Sequence, residues 1–526
     1  MERIVRISSE HPRWTALLCG VLAALGYPPL GLWPVGIAGV AGLVWLLLGA
    51  QGWREAAMRG WLFGVAHFSL TNNWIATAFT HQAEMPAALG WVAVPLLSLY
   101  LAIYPALAAG VAKALARRPD ALPFTLLLAA AWISGEWLRS WVFSGYAWGP
   151  LSLMLLGPYE RPGIALLLPY TGTYALSGLV ILLAGLAQWL VATRKWLPLG
   201  GAALVAVLAM YLPQPAARPG PLALTLVQPD LRQEEMNDAS KYEEQFLRLA
   251  RLSRPERSFA QRLVLWPESA VPDYLEPGYP QRYYDRMTAG GDPLLSRRRI
   301  ARVIGPDSLL LTGAVDLEIG EQQPGYPRAL GAYNSITAID DEGAIVGSYA
   351  KAHLVPGGEY LPMRGLLEPL GLTRLVAGTL DFIPGPGAQT VDLGAWGEAG
   401  MQICYEIVFS GETVDPANRP DYIFNPSNDG WFGFWGPPQH LAQARMRAIE
   451  EGLPVLRSTT TGISAVIDSR GVVRSHIGMN RADRIDTQVP QALSATPFAR
   501  LGHWLTAIWA LGFFLIWLVA TRRRRG

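Results

Sequence analysis

Between Trp14 and Leu212 the sequence repeats one pattern, an apolar run of roughly 17 to 25 residues closed by a short polar or Gly/Pro-rich segment. An α-helix needs a run of that length to cross the hydrocarbon core of a bilayer. We predict seven such spans and an eighth beyond a long polar interval, near residues 14–30, 33–50, 60–80, 87–112, 121–140, 163–192, 197–212 and 501–521. The chain is therefore expected to contain an α-helical membrane bundle of eight spans.

The short segments between these spans carry their cations on alternate sides, which predicts the orientation of the chain. One side holds Arg3, Arg6, Arg13, Arg54, Arg59, Lys113, Arg117, Arg118, Arg194, Lys195 and Arg522–Arg525. The opposite connections, including the one around Ala83, hold only Arg139, near a span end, and Arg161. Because basic residues concentrate in cytoplasmic loops, we expect both termini in the cytoplasm and residues 213–499 outside it. In a Gram-negative cell this places the chain in the inner membrane and residues 213–499 in the periplasm.

The composition agrees with this interpretation. The 526 residues are about twice what one hydrophobic core usually organises, so at least two domains are expected. Hydrophobic residues make up 51% of the chain and charged residues 16%, which is too apolar for a soluble enzyme of this size. The formal net charge of +2 gives no reason to predict a nucleic-acid partner. Two widely separated cysteines, Cys19 and Cys404, exclude a disulfide framework.

Residues 213–499 change to short strands that alternate with amphipathic stretches, after a proline-rich linker at 213–221. The predicted strands are Leu222–Gln228, Arg262–Trp266, Ser308–Val315, Ala332–Ile339, Ala344–Tyr349, Ala399–Cys404, Asp421–Phe424, Pro454–Ser458 and Ile463–Asp468, and a helix is predicted from Pro437 to about Glu451. Mixed strands with covering helices favour an α/β sandwich. We therefore expect three parts: a seven-helix transmembrane domain at 1–212, an α/β domain at 213–499, and a transmembrane helix with an arginine-rich tail at 500–526.

A few polar side chains interrupt the apolar spans, namely His67, Asn72, Asn73, Glu136 and Arg139. Two interpretations stay open, hydrogen bonding between packed helices and contact with a substrate. Glu136 and Arg139 are three residues apart, so a pair on one helix face is expected.

Three predicted strands end in residues suited to one chemistry: Glu268, Lys351 and, within the apolar strand Met401–Glu406, Cys404. A cysteine taken alone is more often a small buried hydrophobe than a nucleophile. A nucleophilic thiol needs a base or a lowered pKa, and Glu268 is the candidate base. Lys351 is the candidate cation for the thiolate and for an oxyanion. The sequence has no Gly-x-Ser-x-Gly elbow and no histidine pair with metal-ligand spacing, so serine and metal chemistry are less supported.

Four ordered motifs resemble the signatures of the nitrilase superfamily. They are Leu265–Glu268, Lys351–Tyr360, Ile403–Glu406 and Ser427–Gly433. Together with the membrane spans, they make nearly the whole chain resemble the apolipoprotein N-acyltransferase branch of that superfamily. The resemblance implies an α-β-β-α sandwich for the domain at 213–499. It also implies a site made of the triad Glu268, Lys351 and Cys404 with the supporting residues Glu359, Tyr405 and Glu406.

The resemblance further implies transfer of the sn-1 acyl chain of a membrane phospholipid, through a thioester on Cys404, to the N-terminal amine of diacylglyceryl-cysteine on an apolipoprotein. No cofactor is expected, because the ester is itself the activated donor, and the protein is expected to be a monomer. Two alternatives stay open. One is a membrane-tethered amidase or nitrilase, in which water takes the acyl group, and the other is a non-catalytic scaffold of the same fold.

The chain departs from the family pattern at Gly357, where many members have phenylalanine, and at Met236-Asn237, where many have a lysine–tryptophan pair. Glycine at 357 is expected to loosen the loop beside Lys351. Two further stretches, Tyr360–Leu372 and Gly430–Gly436, place leucines and aromatic residues among glycines and prolines. The first is interpreted either as core or as an exposed apolar arm, and the second either as a simple turn or as a mobile flap at the lipid interface.

Overall fold

A computed structural model describes residues 10–81, 86–116, 120–143, 145–215, 217–236, 238–321, 325–370, 374–375 and 380–522. Several residues used in the sequence predictions lie outside this set: Arg3, Arg6, Ala83, Arg117, Arg118, Asn237, Leu372 and Arg523–Arg525.

Helices form the N-terminal part of the described chain: α1 Pro12–Ala24, α2 Trp33–Leu48, α3 Trp53–Thr71, α4 Ile75–Ala78, α5 Leu89–Leu101, α6 Ile103–Leu115, α7 Ala121–Trp141, α8 Leu168–Ala192 and α9 Trp196–Met210. Prolines lie in the first turn of α1, α2 and α8, where a missing backbone N–H costs no intrahelical hydrogen bond. Each of the seven predicted N-terminal spans overlaps one of these helices.

Length and hydropathy distinguish the predicted spans from one another. Four helical segments of the described chain are long and apolar enough to cross a membrane: Leu89–Leu115, Ala121–Trp141, Ile164–Ala192 and His503–Arg522. Trp33–Leu48 and Trp196–Met210 are apolar but shorter. The third predicted span was misplaced, since α3 ends at Thr71 and not near residue 80. The Thr71 carbonyl accepts a hydrogen bond from Gln439 of the α/β domain, 3.1 Å away.

Small residues bring the helices of the bundle into close contact. A Cβ atom added at Gly39 would lie 2.6 Å from the Ala23 nitrogen and the Cys19 carbonyl oxygen, and one added at Gly20 would lie 2.2 Å from the Phe63 carbonyl oxygen. Glycine at these positions therefore permits backbone-to-backbone packing, as is common between membrane helices.

Some polar residues of the bundle form hydrogen bonds within the protein, whereas His67 Nδ1 and Asn72 Nδ2 are buried without a hydrogen-bond partner in the described part of the chain. Tyr146 donates to Asn72 Oδ1 at 2.8 Å, and His67 is buried. The expected pair between Glu136 and Arg139 does not form among the described residues. Instead Glu136 accepts from the backbone N–H of Leu151 and from a tryptophan indole on its own helix, while Arg139 donates to the Trp148 carbonyl. The two charged side chains thus bind backbone groups of the connection after α7 and do not bind each other.

The remaining helices are α10 Gln233–Met236, α11 Tyr242–Ser253, α12 Gln281–Met287, α13 Pro293–Ile304, α14 Arg364–Leu367, α15 Gly436–Glu451, α16 Pro497–Leu501 and α17 His503–Arg522. The strands are β1 Pro219–Gln228, β2 Arg262–Leu265, β3 Ser308–Glu321, β4 Pro327–Ile339, β5 Ile345–Ala350, β6 Thr390–Asp392, β7 Glu398–Met401, β8 Tyr422–Ser427, β9 Val455–Thr459, β10 Ser464–Ile467, β11 Val473–Ile477 and β12 Asp483–Pro490.

These strands form two six-stranded sheets with the orders β12-β1-β2-β3-β4-β5 and β11-β10-β9-β8-β7-β6. The strands β1, β2 and β3 are parallel, as are β7, β8 and β9, and the outer pairs are antiparallel. One apolar cluster joins side chains of both sheets, including Leu265 and Leu311 of the first sheet and Met401 and Phe424 of the second. A second cluster packs α11 and α13 on the first sheet.

The nine predicted strands are all present with shifted ends, and three more were not predicted. These are β6, β11 and β12, and each lies at the edge of a sheet. The burial of β11 and β12 is interrupted by exposed positions, so neither has the apolar run that marks a central strand. Edge strands with charged residues resist pairing with other chains, which accounts for their polar sequences.

Candidate active site

Glu268 lies just beyond the end of β2 and is buried. Its Oε1 accepts from Asn334 Nδ2 at 2.8 Å and its Oε2 from the Asn428 backbone N–H at 2.7 Å. The neighbouring strand approaches closely at Gly313, where an added Cβ would lie 2.6 Å from the Glu268 Cα. Both oxygens are thus fixed by donors, and the backbone that carries them has no room to shift.

Lys351 follows β5 and is only 1% exposed. Its Nζ lies 2.9 Å and 3.0 Å from the two carboxylate oxygens of Glu359 and 3.6 Å from Glu268 Oε1. Burial acts to lower the pKa of Lys351, but Glu359 and Glu268 outweigh it and the net shift is upward. The raised pKa favours the protonated form of the Lys351 side chain.

Asn334 joins the two carboxylates, and the sequence analysis did not identify it. Its Nδ2 donates to Glu268 at 2.8 Å and to Glu359 at 2.9 Å, and its backbone carbonyl accepts from the Lys351 N–H at 2.9 Å. Asn334 lies inside β4 next to β5, so its partners come together only through strand pairing. Asparagine is depleted in strands, and its presence in the middle of β4 is the one signal that the sequence offered.

Cys404 is buried, but it does not lie on a strand as predicted. Strand β7 ends at Met401, and Cys404 begins a short 3₁₀ helix, Cys404–Val408, with φ of 52°. This left-handed conformation is uncommon for a residue with a side chain and is often found at functional sites. Burial raises the pKa of the Cys404 thiol well above its usual range, and Glu268 raises it further while Lys351 opposes the shift.

Glu406 connects the loop of Lys351 to the turn of Cys404. Its Oε1 accepts from the Tyr349 hydroxyl at 2.8 Å and from the backbone N–H groups of Ala352 and His353 at 2.7 Å and 3.2 Å. Its Oε2 accepts from the Ile403 N–H at 2.7 Å. Burial raises the pKa of Glu406 to about 7, whereas these donors favour the ionised form. Glu406 therefore links the loop that carries Lys351 to the turn that carries Cys404.

Tyr405, the third supporting residue, follows Cys404 in the chain and is buried. Its ring packs edge-on against Phe409, with 5.1 Å between the ring centroids. Its hydroxyl has no hydrogen-bond partner within the described part of the chain. The contacts of Tyr405 are thus mainly apolar.

The two stretches for which the sequence left alternatives open, Tyr360–Leu372 and Gly430–Gly436, have different environments. In the first, Met363 is 70% and Leu366 63% exposed, and Arg364 forms a two-pronged ion pair with Asp381. The described residues of this stretch therefore form an exposed apolar arm. In the second, Phe432 is buried against Trp74 of the bundle, while Phe434 is 65% exposed.

The positions that depart from the family pattern also have defined contacts. Gly357 has φ of 75°, which glycine adopts without strain, and its N–H donates to the Tyr360 carbonyl at 2.8 Å. Its conformation is therefore a hydrogen-bonded turn. Met236 accepts from Asn428 Nδ2 through its sulfur at 3.4 Å, beside the Asn428 N–H that binds Glu268.

The arrangement combines the buried side chains of Cys404, Glu268 and Lys351: Lys351 lies 3.6 Å from Glu268, and the charges of both residues act on the pKa of the thiol. Such a group can attack a carbonyl carbon if the carboxylate removes the thiol proton during the attack. The α/β domain is of the carbon–nitrogen hydrolase class, since residues 224–496 match the family model described as carbon-nitrogen hydrolase. Residues 19–186 match the apolipoprotein N-acyltransferase N-terminal domain.

Comparison over the whole length identifies the particular family. The chain is 34% identical to the apolipoprotein N-acyltransferase of Rhodopseudomonas palustris, covering 97% of this chain and 95% of the relative. It is also 34% identical to that of Caulobacter vibrioides, over 93% and 90%. The chain belongs to the apolipoprotein N-acyltransferase family.

Among solved structures, an amidase of the nitrilase superfamily from Nesterenkonia is 18% identical and covers 52% of this chain and 92% of its own, with a TM-score of 0.34. A nitrilase-superfamily protein of Saccharomyces cerevisiae is 17% identical and covers 51% and 90%, with a TM-score of 0.33.

The raised pKa of Cys404 predicts how its reactivity depends on pH. Only the thiolate reacts with iodoacetamide, so the alkylation rate should rise about tenfold per pH unit between pH 7 and 9. The rate is measured by mass spectrometry of the labelled peptide, and a Cys404→Ala variant corrects for labelling of Cys19. A plateau below pH 8 would show that the free protein already holds a thiolate–lysine ion pair.

Proposed function

We propose that this protein transfers the sn-1 acyl chain of a membrane phospholipid to the N-terminal amine of diacylglyceryl-cysteine on apolipoproteins. Family membership supports the overall activity. The single observation that carries the mechanism is the buried cluster of thiol, carboxylate and ammonium at Cys404, Glu268 and Lys351. The reaction has two halves that share one thioester.

In the first half, Glu268 takes the thiol proton as the Cys404 sulfur attacks the ester carbonyl carbon. Lys351 stabilises the oxyanion of the tetrahedral intermediate, and the ammonium can do so strongly because the site excludes water. The carbon–oxygen bond of the ester then breaks, and Glu268 returns its proton to the leaving alkoxide. The products are a thioester on Cys404 and a lysophospholipid.

In the second half, the amine of the acceptor attacks the thioester. Glu268 takes a proton from the attacking nitrogen, a carbon–nitrogen bond forms, and the carbon–sulfur bond breaks. The sulfur recovers a proton from Glu268, which regenerates the free enzyme. Glu359 keeps Lys351 charged and oriented, while Glu406 and Tyr405 hold the backbone and the packing around the nucleophile.

Membrane topology follows from the same proposal, because donor and acceptor are both anchored by acyl chains. The proposed arrangement is a bundle of eight spans, seven in residues 1–212 and one in 500–526, with residues 213–499 as a periplasmic α-β-β-α sandwich and both termini in the cytoplasm. The cation bias of the short loops supports this orientation. The protein is proposed to act as a monomer in the inner membrane, without a cofactor.

Reporter fusions test this orientation. A fusion after Arg118 or Arg194 should report the cytoplasm, and one near Asp238 should report the periplasm, because the basic loops stay on the cytoplasmic side. Alkaline phosphatase and a fluorescent protein that matures only in the cytoplasm are the matched reporters. Phosphatase activity at Arg118 would refute the orientation.

The fate of the acyl group tests the central proposal. A thioester in a site that excludes water should persist until an amine arrives. Incubation with phospholipid alone should therefore give an acyl adduct on Cys404, seen by mass spectrometry of the intact protein and removed by neutral hydroxylamine. A peptide that begins with diacylglyceryl-cysteine should discharge the adduct to an N-acyl product.

Two variants at Cys404 provide the controls. Cys404→Ala should form no adduct. Cys404→Ser should form it at least about 100-fold more slowly, because a hydroxyl is far less acidic than a thiol and Glu268 is a weak base for it. Steady release of free fatty acid without acceptor, at the rate of transfer, would instead favour the hydrolase alternative.

The exposed arm predicts how the enzyme meets its lipid donor. Exposed Met363 and Leu366 fit contact with the membrane interface, so the double substitution Leu366→Asp and Leu367→Asp should slow acylation by bilayer phospholipid about tenfold or more. Alkylation of Cys404 by iodoacetamide should be unchanged. The matched control replaces Leu294 and Leu295, exposed leucines of α13, by aspartate. Loss of folding in the arm variant would identify these leucines as core.

A further inference from the structure

The backbone carbonyl of Cys404 accepts a hydrogen bond from His440, a residue to which the motif analysis assigned no role. His440 Nε2 lies 3.0 Å from that oxygen, and the side chain is completely buried. A carbonyl oxygen can only accept, so Nε2 carries a proton. Asn425 Nδ2 lies 3.5 Å from the same oxygen but binds the Gln402 carbonyl more closely, at 2.6 Å. His440 is therefore the principal donor to the nucleophile's own peptide group.

A buried ion pair fixes the other side of the imidazole ring. His440 Nδ1 lies 2.9 Å from Asp429 Oδ1 and 2.9 Å from the Arg457 guanidinium, and Arg457 binds both oxygens of Asp429 at 2.8 Å and 2.9 Å. Burial and the Arg457 charge lower the pKa of His440, against the opposing effect of Asp429. The ring donates from Nε2 to Cys404 in either protonation state: a neutral ring accepts from Arg457 at Nδ1, and a protonated ring donates from Nδ1 to Asp429.

This hydrogen bond acts on a strained part of the backbone. Cys404 has φ of 52°, and such a conformation persists only where its surroundings determine it. Glu406 holds the N–H of Ile403 on one side of the nucleophile, and His440 holds the carbonyl of Cys404 on the other. The direction of the Cα–Cβ bond, and hence of the thiol, depends on both contacts.

The helix that carries His440 is attached to the membrane bundle at the preceding residue. Gln439 of α15 donates to the Thr71 carbonyl at 3.1 Å and accepts from the Trp148 indole at 2.9 Å. Gln443, one turn later, accepts from the Gly149 N–H at 3.2 Å. The Trp148 ring also packs against His440, with 5.2 Å between centroids. Adjacent residues of one helix thus contact the bundle and the nucleophile.

We propose that His440 is a positioning residue: its Nε2–H fixes the Cys404 carbonyl so that the thiol faces Glu268 and Lys351, and Gln439 anchors this contact to the membrane helices. His440 acts through the backbone and takes no part in proton transfer. The inference rests on the proposed acyl transfer for its kinetic assay. Its signature is a lower rate constant for acylation with little change in the KM for the phospholipid.

Two substitutions in the full-length protein separate the two ring nitrogens. In His440→Gln the side-chain amide lies near the position of Nε2 and keeps the donor to Cys404, whereas in His440→Asn it lies near Nδ1 and loses that donor. We expect His440→Asn to slow acylation about 10- to 100-fold, because a small displacement of a nucleophile has an effect of that order. His440→Gln should remain within about threefold of wild type, since its donor is kept.

The pH profile of Cys404 alkylation by iodoacetamide gives a second readout that requires no lipid. The profile of His440→Gln should superimpose on that of wild type, and the profile of His440→Asn should be displaced, because its thiol has moved relative to Glu268 and Lys351. If wild type forms no adduct with phospholipid while this difference is seen, the proposed function fails and the positioning role stands.

Three results would overturn the inference. The first is that His440→Asn has the acylation rate and the alkylation profile of wild type. The second is that acylation is slowed equally in His440→Asn and His440→Gln. If thermal unfolding shows that His440→Asn does not fold, the folded His440→Gln variant alone decides the test. In that case the third contradicting result is acylation by His440→Gln that is more than threefold slower than by wild type. Gln439→Leu tests the anchor separately: a reduction of about tenfold is expected, and wild-type acylation would refute the link to the bundle.

Discussion

A buried ammonium between two carboxylates is the interaction on which the active site depends. Burial acts to lower the pKa of Lys351, and the charges of Glu359 and Glu268 outweigh that effect, so the net shift is upward. Burial is the largest cause of the raised pKa of the Cys404 thiol, Glu268 raises this pKa further, and Lys351 opposes the shift.

The site also depends on the packing of the two sheets. Glu268, Asn334 and Lys351 belong to the first sheet or its strand ends, while Cys404 and Glu406 follow a strand of the second. Contacts such as Glu406 with the Tyr349 hydroxyl and Asn428 with Glu268 cross between them. Folding of either sheet alone would leave buried charges unpaired, which couples assembly of the site to assembly of the whole domain.

Helix α15 links the α/β domain to the helical bundle. It is buried along its length although it carries several charged residues. Arg445 donates to the carbonyls of Gly157 and Pro158 at 2.9 Å and 2.7 Å, and Glu450 accepts from Thr173 at 2.6 Å. Arg445 thus binds backbone carbonyls of the connection before α8, and Glu450 binds a side-chain hydroxyl of α8 itself.

Local patterns in the sequence predicted most of the apolar helices and nine of the twelve strands of the described chain, and they selected Glu268, Lys351 and Cys404 as candidate site residues, because hydrophobic periodicity and side-chain chemistry can be read along the chain. The sequence did not predict the edge strands β6, β11 and β12, the left-handed backbone of Cys404 or the partners of Glu136. Asn334 and His440 were not predicted either, because each binds groups that are distant in the chain. Only strand pairing and helix packing bring those groups within hydrogen-bonding distance. Only the tertiary structure determined which polar groups bind the buried charged side chains. The reason is that a buried charge needs a hydrogen-bonding partner, and the fold decides which donor or acceptor lies beside it.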